Sequence, residues 1–446
     1  MSDVTTVPLR QLCDPDRSIT YGIVQPGKLY AGGVPIVRVN NFRGHRLDLT
    51  ERSYVAPQIE AAYSRSRPRP DDILISLVGS IGQVAIAPSE IEGWNLARAV
   101  GLLPARNSHL SRWLYYVLQT PSAQNFIHQH ANTTVQATFN LSDLANIPIP
   151  FPDEARRKDA LGVLSAIDDK IELNRRMNET LAALAQAIFR DWLVDFGPVH
   201  RKQGGTSDPV LILGGLLPDP TRAHDVAVLF PDSFGDDGLP KGWAERPFSN
   251  LVEIVGGGTP KTSEPDYWSG DIPWFSVVDT PLGSDTFVFQ TEKNITPRGL
   301  SASSARLIGP GTTIITARGT VGNLAIAARE MTFNQSCYAL RSSEGLHPFF
   351  TYLAAKQIVE RLKSMAHGSV FSTITRQTFE SVGLAAPSLE IRQAFEELAA
   401  PLFDRIRASV QENLTLAEAR DYLLPRLMSG EVCGRETVNL GGAANA

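Results

Sequence analysis

Two stretches of the chain carry residues at the alternating spacing of four and three that defines a coiled-coil seam. A lone seam leaves apolar surface in water, so a helix of this kind needs a partner. The second stretch lies 235 residues after the first and has the same spacing, which predicts that the two helices pair in an antiparallel coiled coil. The seam positions are Ile167, Ile171, Asn174, Asn178, Leu181, Ala185, Ile188 and Trp192, and then Leu402, Ile406, Ser409, Asn413, Leu416, Arg420, Leu423 and Leu427.

Among the polar seam residues, two asparagines indicate how the helices pair. Asn178 and Asn413 occupy equivalent places in the two seams, where a buried amide usually fixes register and partner choice at some cost in stability. A helix of about 33 residues at 1.5 Å per residue is about 50 Å long. On B-DNA, at 3.4 Å per base pair, that length corresponds to about 15 base pairs.

The remainder of the chain repeats in two halves. Residues 73–87 align without a gap to residues 313–327, which places Gly79 on Gly319. Further along, Trp94-Asn95 aligns with Phe333-Asn334, and 131–139 with 366–374. Each half has short β-branched runs broken by Gly and Pro, followed by an aromatic helix. The predicted class is α+β: two tandem α/β domains separated by two long helices, with a pseudo-two-fold internal repeat.

The same features give the expected boundaries. A Gly-, Pro- and Asp-rich stretch between the halves is typical of an irregular, solvated connector. The predicted segments are a first α/β domain at 1–152, a first long helix at 153–197, a connector at 198–242, a second α/β domain at 243–388, a second long helix at 389–432 and a flexible tail at 433–446.

Composition narrows the class of protein. A net charge of −5 argues against general coating of nucleic acid, although a local basic surface remains compatible with it. Three scattered cysteines, Cys13, Cys337 and Cys433, favour neither a disulfide framework nor a metal site. Neither a signal peptide nor a run of about 18 apolar residues is present, so we expect a cytoplasmic protein.

Motifs that resemble catalytic or nucleotide sites do not carry the necessary chemistry. In the segment GGGTPKT, Pro260 precedes the lysine and removes a backbone N–H from a phosphate cradle. Asp168, Asp169 and Lys170 lie on the predicted helix, which is a poor place for a nuclease metal site. The Gly-x-x-Gly pairs starting at Gly79 and Gly319 predict hairpin turns with positive φ. The sequence therefore predicts a binding protein without metal or cofactor of its own.

Basic and amide side chains concentrate in the first half. From Arg38 to Arg69 there are seven arginines against three acidic residues. Arg and Asn are the side chains that read guanine and adenine edges, and Arg also holds phosphates; for any one of them a solvated loop is the alternative. Candidate DNA contacts are Arg38, Asn40, Asn41, Arg43, Arg46, Arg65, Arg67, Arg69, Ser80 and Asn95 in the first half, and Lys261, Thr262, Tyr267, Trp268, Arg298, Arg318, Thr320, Asn334 and Gln335 in the second. Tyr267 and Trp268 have packing as their alternative role.

Five segments, whose order along the chain is that of the family, resemble the DNA specificity subunits of type I restriction-modification systems. They are GGTPKTSEPDYWSGDIPWFSVVD (257–279), ARGTVGNLAI (317–326), FNQSC (333–337), IELNRRMNETLAALAQAIFRDWLVDF (171–196) and LLPRLMSGEV (423–432). The resemblance covers nearly the whole chain and its repeat. The first half departs most, since it offers only GKLYAGGVPIVRV (27–39) in place of the first segment.

The resemblance implies a function. In that family each α/β domain is a target recognition domain that reads half of a bipartite DNA site, and the paired helices space the two halves and dock two modification subunits. The subunit catalyses nothing itself; S-adenosylmethionine, ATP and magnesium belong to the modification subunits and to the restriction subunits, which translocate and cut DNA. Two other readings of the sequence remain: a two-domain protein-binding scaffold without DNA specificity, and a self-sufficient enzyme with a split active site.

Overall fold

The protein is described here from a computed structural model covering residues 5–44, 46–132, 137–281, 283–365 and 373–432. His45, Cys433, the tail at 433–446 and parts of the 131–139 and 366–374 repeat lie outside these residues. Contacts divide the chain into two compact units: Met1–Asp169 with Leu416–Ala446, and Lys170–Thr415. The long helices contribute residues to both units, so the units divide the chain differently from the six predicted segments.

The first unit is built on small sheets. One has the strand order β2-β10-β7-β8, a second β6-β3-β9, and two further pairs are β1-β11 and β4-β5. The strands are β1 Thr6–Pro8, β2 Thr20–Tyr21, β3 Val34–Val37, β4 Phe42–Arg43, β5 Arg46–Leu47, β6 Ser53–Val55, β7 Ile73–Ser76, β8 Val84–Ile86, β9 Asn95–Leu96, β10 Val100–Leu103 and β11 Pro148–Pro150; the helices are α1 Pro57–Ala61, α2 Ser108–Gln119, α3 Pro121–Gln129, α4 Leu141–Ala145 and the start of α5 Glu154–Leu193.

The second unit has sheets of order β13-β20-β17-β18-β15, β16-β14-β19 and β12-β21. Its strands are β12 Ala244–Pro247, β13 Val252–Gly256, β14 Trp268–Phe275, β15 Phe287–Val288, β16 Asn294–Ile295, β17 Thr313–Thr316, β18 Leu324–Ala327, β19 Thr332–Phe333, β20 Cys337–Ser342 and β21 Gly383–Ala386; its helices are α6 Gly197–Gln203, α7 Pro209–Ile212, α8 Pro220–Ala227, α9 Pro297–Ser301, α10 Pro348–Met365, α11 Arg376–Ser381 and most of α12 Leu389–Ser429.

The predicted internal repeat is confirmed strand by strand. The order β10-β7-β8 recurs as β20-β17-β18, β6-β3-β9 as β16-β14-β19, and β1-β11 as β12-β21. The Gly-x-x-Gly turns also match: Gly79 and Gly319 each have φ of 79°, and Gly82 and Gly322 have φ of 85° and 86°. These values require glycine, as the hairpin interpretation predicted.

The prediction of an irregular connector is wrong. Residues 197–227 contain the short helices α6, α7 and α8, and buried side chains of residues 197–230, including Val199, Leu213 and Phe230, join the core around Trp192. Asp208 and Asp219 each accept a hydrogen bond from the backbone of the helix that follows, and each is followed by proline. Aspartate at the N-cap with proline next to it begins a helix. In the sequence, the abundance of Gly, Pro and Asp predicted a loop here.

The predicted antiparallel pairing of the long helices is confirmed within each unit. In the second unit, Trp192 of α5 contacts Phe395 of α12 with ring centroids 6.5 Å apart, whereas Asn174, earlier in α5, bonds to Asn413, later in α12. In the first unit, Leu161 and Leu164 share a core with Leu424 and Leu427. Most predicted seam positions are buried.

Two seam positions are shifted by one residue from the prediction: Leu424 is buried and the predicted Leu423 only partly so, and the same shift occurs at Phe403. Phe403 is fully buried, whereas Leu402 beside it is only partly covered. The ring of Phe403 stacks on Phe349 of α10 with centroids 4.5 Å apart and an angle of 3° between the planes. An aromatic ring provides more apolar area than leucine, so this helix turns Phe403 toward the core.

A polar layer crosses the seam in the second unit. Asn174, Asn178, Ser409 and Asn413 are all buried. The amide of Asn174 donates to the side-chain oxygen of Asn413 at 2.9 Å and to Glu412 at 2.8 Å, while Asn178 donates to Asp285 at 3.2 Å. Asn178 and Asn413 are equivalent by the repeat, and the structure gives each a different partner.

Candidate nucleic-acid interface

The first unit contains an open cleft, which we call the first cleft, where several basic loops meet. It has a volume of about 640 Å³ and is bounded by the ends of β3 and β9 and by the turn between β7 and β8. Three of the predicted contact residues, Arg38, Asn40 and Ser80, line it together with Arg98. All four side chains are exposed. Cationic and amide groups facing one concave surface are what a phosphate backbone and base edges require.

Local backbone structure holds these residues in place. β3 and β9 run parallel, with Val37 opposite Leu96, so Arg38 and Arg98 follow two neighbouring strand ends. After β3 the chain makes a 3-10 turn, Val39–Asn41, in which the side chain of Asn41 accepts the backbone N–H of Arg38 at 2.8 Å. Asn41 also donates to the carbonyls of Asp48 and Glu51. Asn41 is therefore a buried structural residue, not an exposed contact as the sequence predicted.

Asn95 is likewise placed away from the surface. Its side chain is completely buried. The amide donates to Glu60 at 2.9 Å and to the carbonyl of Tyr63, and its oxygen accepts the hydroxyl of Ser66 at 2.7 Å. These bonds use the side chain inside the domain, so a DNA contact by Asn95 is inconsistent with the structure.

The remaining basic candidates of the first unit lie outside the first cleft. Arg67 forms a bidentate pair with Glu60 at 2.6 and 2.8 Å, and the hydrogen bond from Arg67 lowers the pKa of that carboxyl. Arg43 approaches Asp48 at 3.9 Å. Arg46 lines a second cavity of about 280 Å³ with Arg112 and Tyr115. Arg65 and Arg69 are exposed.

In the second unit, one group of predicted contacts clusters around β14. Lys261 pairs with Glu264 at 3.0 Å, and Arg298 pairs with Asp266 at 3.0 Å while lying 5.9 Å from the ring centre of Tyr267. Trp268 packs edge-on against Trp274 at 5.1 Å, which gives it a packing role. Thr262 and Trp268 border a cavity of about 490 Å³ with Lys293 and Asn294.

A second group of predicted contacts lies on the turn that follows β17 and in the loop that follows β19. Arg318, Thr320 and Gln335 are exposed. Asn334 is half-buried, and its side chain accepts the backbone N–H of Ser336 at 3.0 Å. The hydroxyl of Thr259 donates to the side-chain oxygen of Gln335, which restrains its orientation.

The structure corrects one alignment between the halves. Leu96 opposes Val37 in the first unit, and Phe333 opposes Phe275 in the second. Leu96 is therefore equivalent to Phe333, and the sequence alignment of Trp94-Asn95 with Phe333-Asn334 is wrong by two residues. Because of that error, Arg98 was not aligned with Gln335 and is not among the contacts predicted from the sequence. The signal available was an arginine two residues after a buried strand.

Other chemistry is not apparent in the described part of the chain. Among residues 5–44, 46–132, 137–281, 283–365 and 373–432, no three His, Cys, Asp or Glu side chains are grouped as a metal site. The same residues include no helix long and apolar enough to cross a bilayer. Burial raises the pKa of both Cys13 and Cys337 to about 12, which leaves these thiols protonated.

Comparison with known proteins agrees with the resemblance seen in the sequence. The model of the type I restriction modification DNA specificity domain matches residues 2–183 and again 240–406. The HindI specificity subunit of a type I restriction enzyme from Haemophilus influenzae is 27% identical over 366 residues, or 74% of this chain and 79% of that protein. A putative MjaX specificity subunit from Methanocaldococcus jannaschii is 22% identical over 437 residues, 95% and 93% of the two chains.

A crystal structure of the type I restriction-modification S subunit from M. genitalium is also similar, with 14% identity, a TM-score of 0.48, and coverage of 96% of this chain and 97% of that one. The two matches of the family model fall on the two repeats and together span well over half of the chain. This protein therefore belongs to the type I restriction modification DNA specificity domain family.

Proposed function

We propose that this chain is the sequence-specific DNA recognition subunit of a type I restriction-modification complex, reading a bipartite target with one domain for each half. The observation that carries the proposal is the repetition of one family domain, with the same strand order, in both units. Two copies of a recognition fold in one chain suit a target with two separated half-sites. The chain itself is a non-catalytic subunit.

The first cleft supplies the means of recognition for one half-site. Arg38, Arg98 and Asn40 face it from neighbouring loops, and Ser80 stands on a turn whose glycines allow close approach. Arginines neutralise phosphates, and Arg and Asn side chains also bond to base edges in the major groove. The predicted contacts Arg318, Thr320 and Gln335 serve the other half-site from the second unit.

The long helices serve as spacer and docking surface. Their antiparallel seam is continuous in each unit, and α5 and α12 expose Leu173, Leu184 and Tyr422 away from it. These residues suit contact with two modification subunits, which transfer methyl groups from S-adenosylmethionine to adenine. Restriction subunits, with ATP and magnesium, complete the complex. A DNA target supports a cytoplasmic location for the complex.

The test is to map adenine methylation in the DNA of a host that expresses this chain with a modification subunit encoded beside its gene. We expect methylation at one split motif, which reveals both half-sites and the gap between them. A host without the chain is the control. If a soluble complex forms and no split motif is methylated, while direct assays also detect no preference among duplexes, the proposed function is wrong.

A further inference from the structure

The two units place different side chains at equivalent positions around the same backbone. In each unit a parallel strand pair, β3 with β9 or β14 with β19, is followed by a 3-10 turn, Val39–Asn41 or Val277–Asp279. In each turn the third side chain accepts the backbone N–H of the residue before the turn, at 2.8 Å in the first unit and 2.7 Å in the second. Arg38 is thus equivalent to Ser276, and Asn40 to Val278.

The loops that follow β9 and β19 also correspond residue by residue between the two units. The backbone N–H of Ala97 donates to Val37, and that of Asn334 donates to Phe275, each at 2.9 Å. On the same strands, the backbone N–H of Ile23 donates to the carbonyl of Leu96 at 2.7 Å, and that of Gly258 donates to the carbonyl of Phe333 at 3.0 Å. By this register Arg98 is equivalent to Gln335.

The exchanged side chains differ in what they can recognise. The Arg98 guanidinium is exposed in the first cleft, and within the described residues it has no hydrogen-bond or ion-pair partner. An arginine of this kind binds the O6 and N7 atoms of guanine in a bidentate manner. At the same place in the second unit, Gln335 matches the N6 and N7 atoms of adenine, and Thr259 restrains its amide through one lone pair of its oxygen.

The neighbouring position adds to this contrast. Val278 is 70% exposed although it is apolar, and it stands where the first unit has Asn40. A valine at a base edge contacts the methyl group of thymine. The second unit does carry an exposed cation, Arg318, but on the β17–β18 turn, where the first unit has Val78, so its charge does not stand at the position equivalent to Arg98.

We propose that Arg98 and Gln335 are equivalent base-reading residues, with Arg98 specifying a guanine in the half-site of the first unit and Gln335 specifying an adenine in the half-site of the second. This inference rests on the proposed DNA-recognition function. It goes further by naming the two residues whose exchange changes one base in one half-site only.

The experiment uses the purified complex of this chain with its modification subunit. Bound duplexes are selected from a library randomised in both half-sites and sequenced. Three variants are compared with the unaltered protein: Arg98→Gln, Gln335→Arg and, as a matched loss of one exposed arginine away from the first cleft, Arg329→Gln. All selections are repeated at two salt concentrations, because loss of a phosphate contact lowers the salt dependence without changing the motif.

We expect Arg98→Gln to reduce the preference for guanine at one position of one half-site by about tenfold or more, in favour of adenine, with the other half-site unchanged. Gln335→Arg should do the converse in the other half-site, and Arg329→Gln should leave the motif unchanged. The inference is overturned if either exchange leaves the motif intact, changes both half-sites, or weakens all duplexes equally with a smaller salt slope. If the unaltered complex selects no motif at all, the proposed function itself fails.

Discussion

The ion pair between the long helices in the first unit offers a test of how the seam is held together. Arg420 of α12 donates to Asp168 of α5 at 3.0 Å, and Tyr116 of α2 donates to the other oxygen of that carboxylate at 2.6 Å. The side chains of Arg420 and Asp168 are only 14% and 26% exposed. Replacing Arg420 with Met would keep the helix propensity and remove the charge, which leaves Asp168 with the tyrosine as its bonded partner.

The size of the effect follows from this burial. Breaking a fully buried pair costs about 3–5 kcal/mol, whereas a fully exposed pair contributes less than about 1 kcal/mol. Because Asp168 keeps a quarter of its surface in water and one strong donor, we expect Arg420→Met to cost about 2 kcal/mol. Adding Asp168→Asn removes the stranded charge and still accepts from Tyr116. The double variant should recover about 1 kcal/mol relative to the sum of the single variants.

The assay is native-state hydrogen exchange, because the chain has two units and does not unfold as one two-state body. The free energy of opening is measured for amides in α2 and in the last three turns of α12. Arg405→Met, an exposed position on the same helix, is the control and should change these values by less than about 0.5 kcal/mol. Strict additivity of the two single variants, within about 0.3 kcal/mol, would show that the pair contributes no coupling and refute the reasoning.

Four further outcomes are expected. Phe403→Ala should lower the free energy of opening of nearby α12 amides, measured by hydrogen exchange, by about 3–5 kcal/mol, and Leu402→Ala should lower it clearly less; equal losses would restore Leu402 to the seam. Burial raises the pKa of Glu396 to about 7, although two backbone N–H groups at the start of α10 oppose the shift. Because the folded protein holds a proton that the unfolded carboxyl releases near its ordinary pKa of 4.5, stability should fall as the pH rises from 4.5 through 7. Glu396→Gln should flatten that slope when the free energy of opening of amides near Glu396 is measured by hydrogen exchange between about pH 5 and 8. Arg318→Ala should weaken binding to duplexes through the second unit's half-site alone, and competition with DNA altered in either half would reveal any equal loss. Adding whole helical turns to both α5 and α12 should lengthen the unread gap in the methylated motif, whereas a fixed gap would exclude them as the spacer.

Periodicity in the sequence was enough to find the long helices, their antiparallel pairing and the repeat, because these features depend on local spacing. It was less reliable on which residue faces the core. The spacing pattern does not weigh side-chain size, and the larger ring of Phe403, stacked on Phe349, takes the seam position that the pattern gave to Leu402. The prediction for the connector was wrong for another reason, since Asp and Pro are common in loops and also at the first positions of helices.

The recognition surface was harder to predict because it depends on strands that are distant in the sequence. Arg38 lies in the first cleft because β3 pairs with β9, and the same pairing brings Arg98 from 60 residues further along. Counting basic residues grouped Arg38 with Arg67, yet the latter is bonded to Glu60. Residue type alone cannot separate an arginine that supports the fold from one that faces a ligand.

The helical connector has a practical consequence for exchanging recognition domains between proteins of this kind. Its side chains pack around Trp192 and Phe395, and Arg201 bonds to Asp191 at 2.7 Å, so residues 197–230 belong to the second unit's core. A chimera joined inside this stretch would expose apolar surface on one parent and leave a hole in the other. The turn from Gly235 to Gly238, which is exposed and closed by backbone bonds of its own, is a better crossover point for building hybrid specificities.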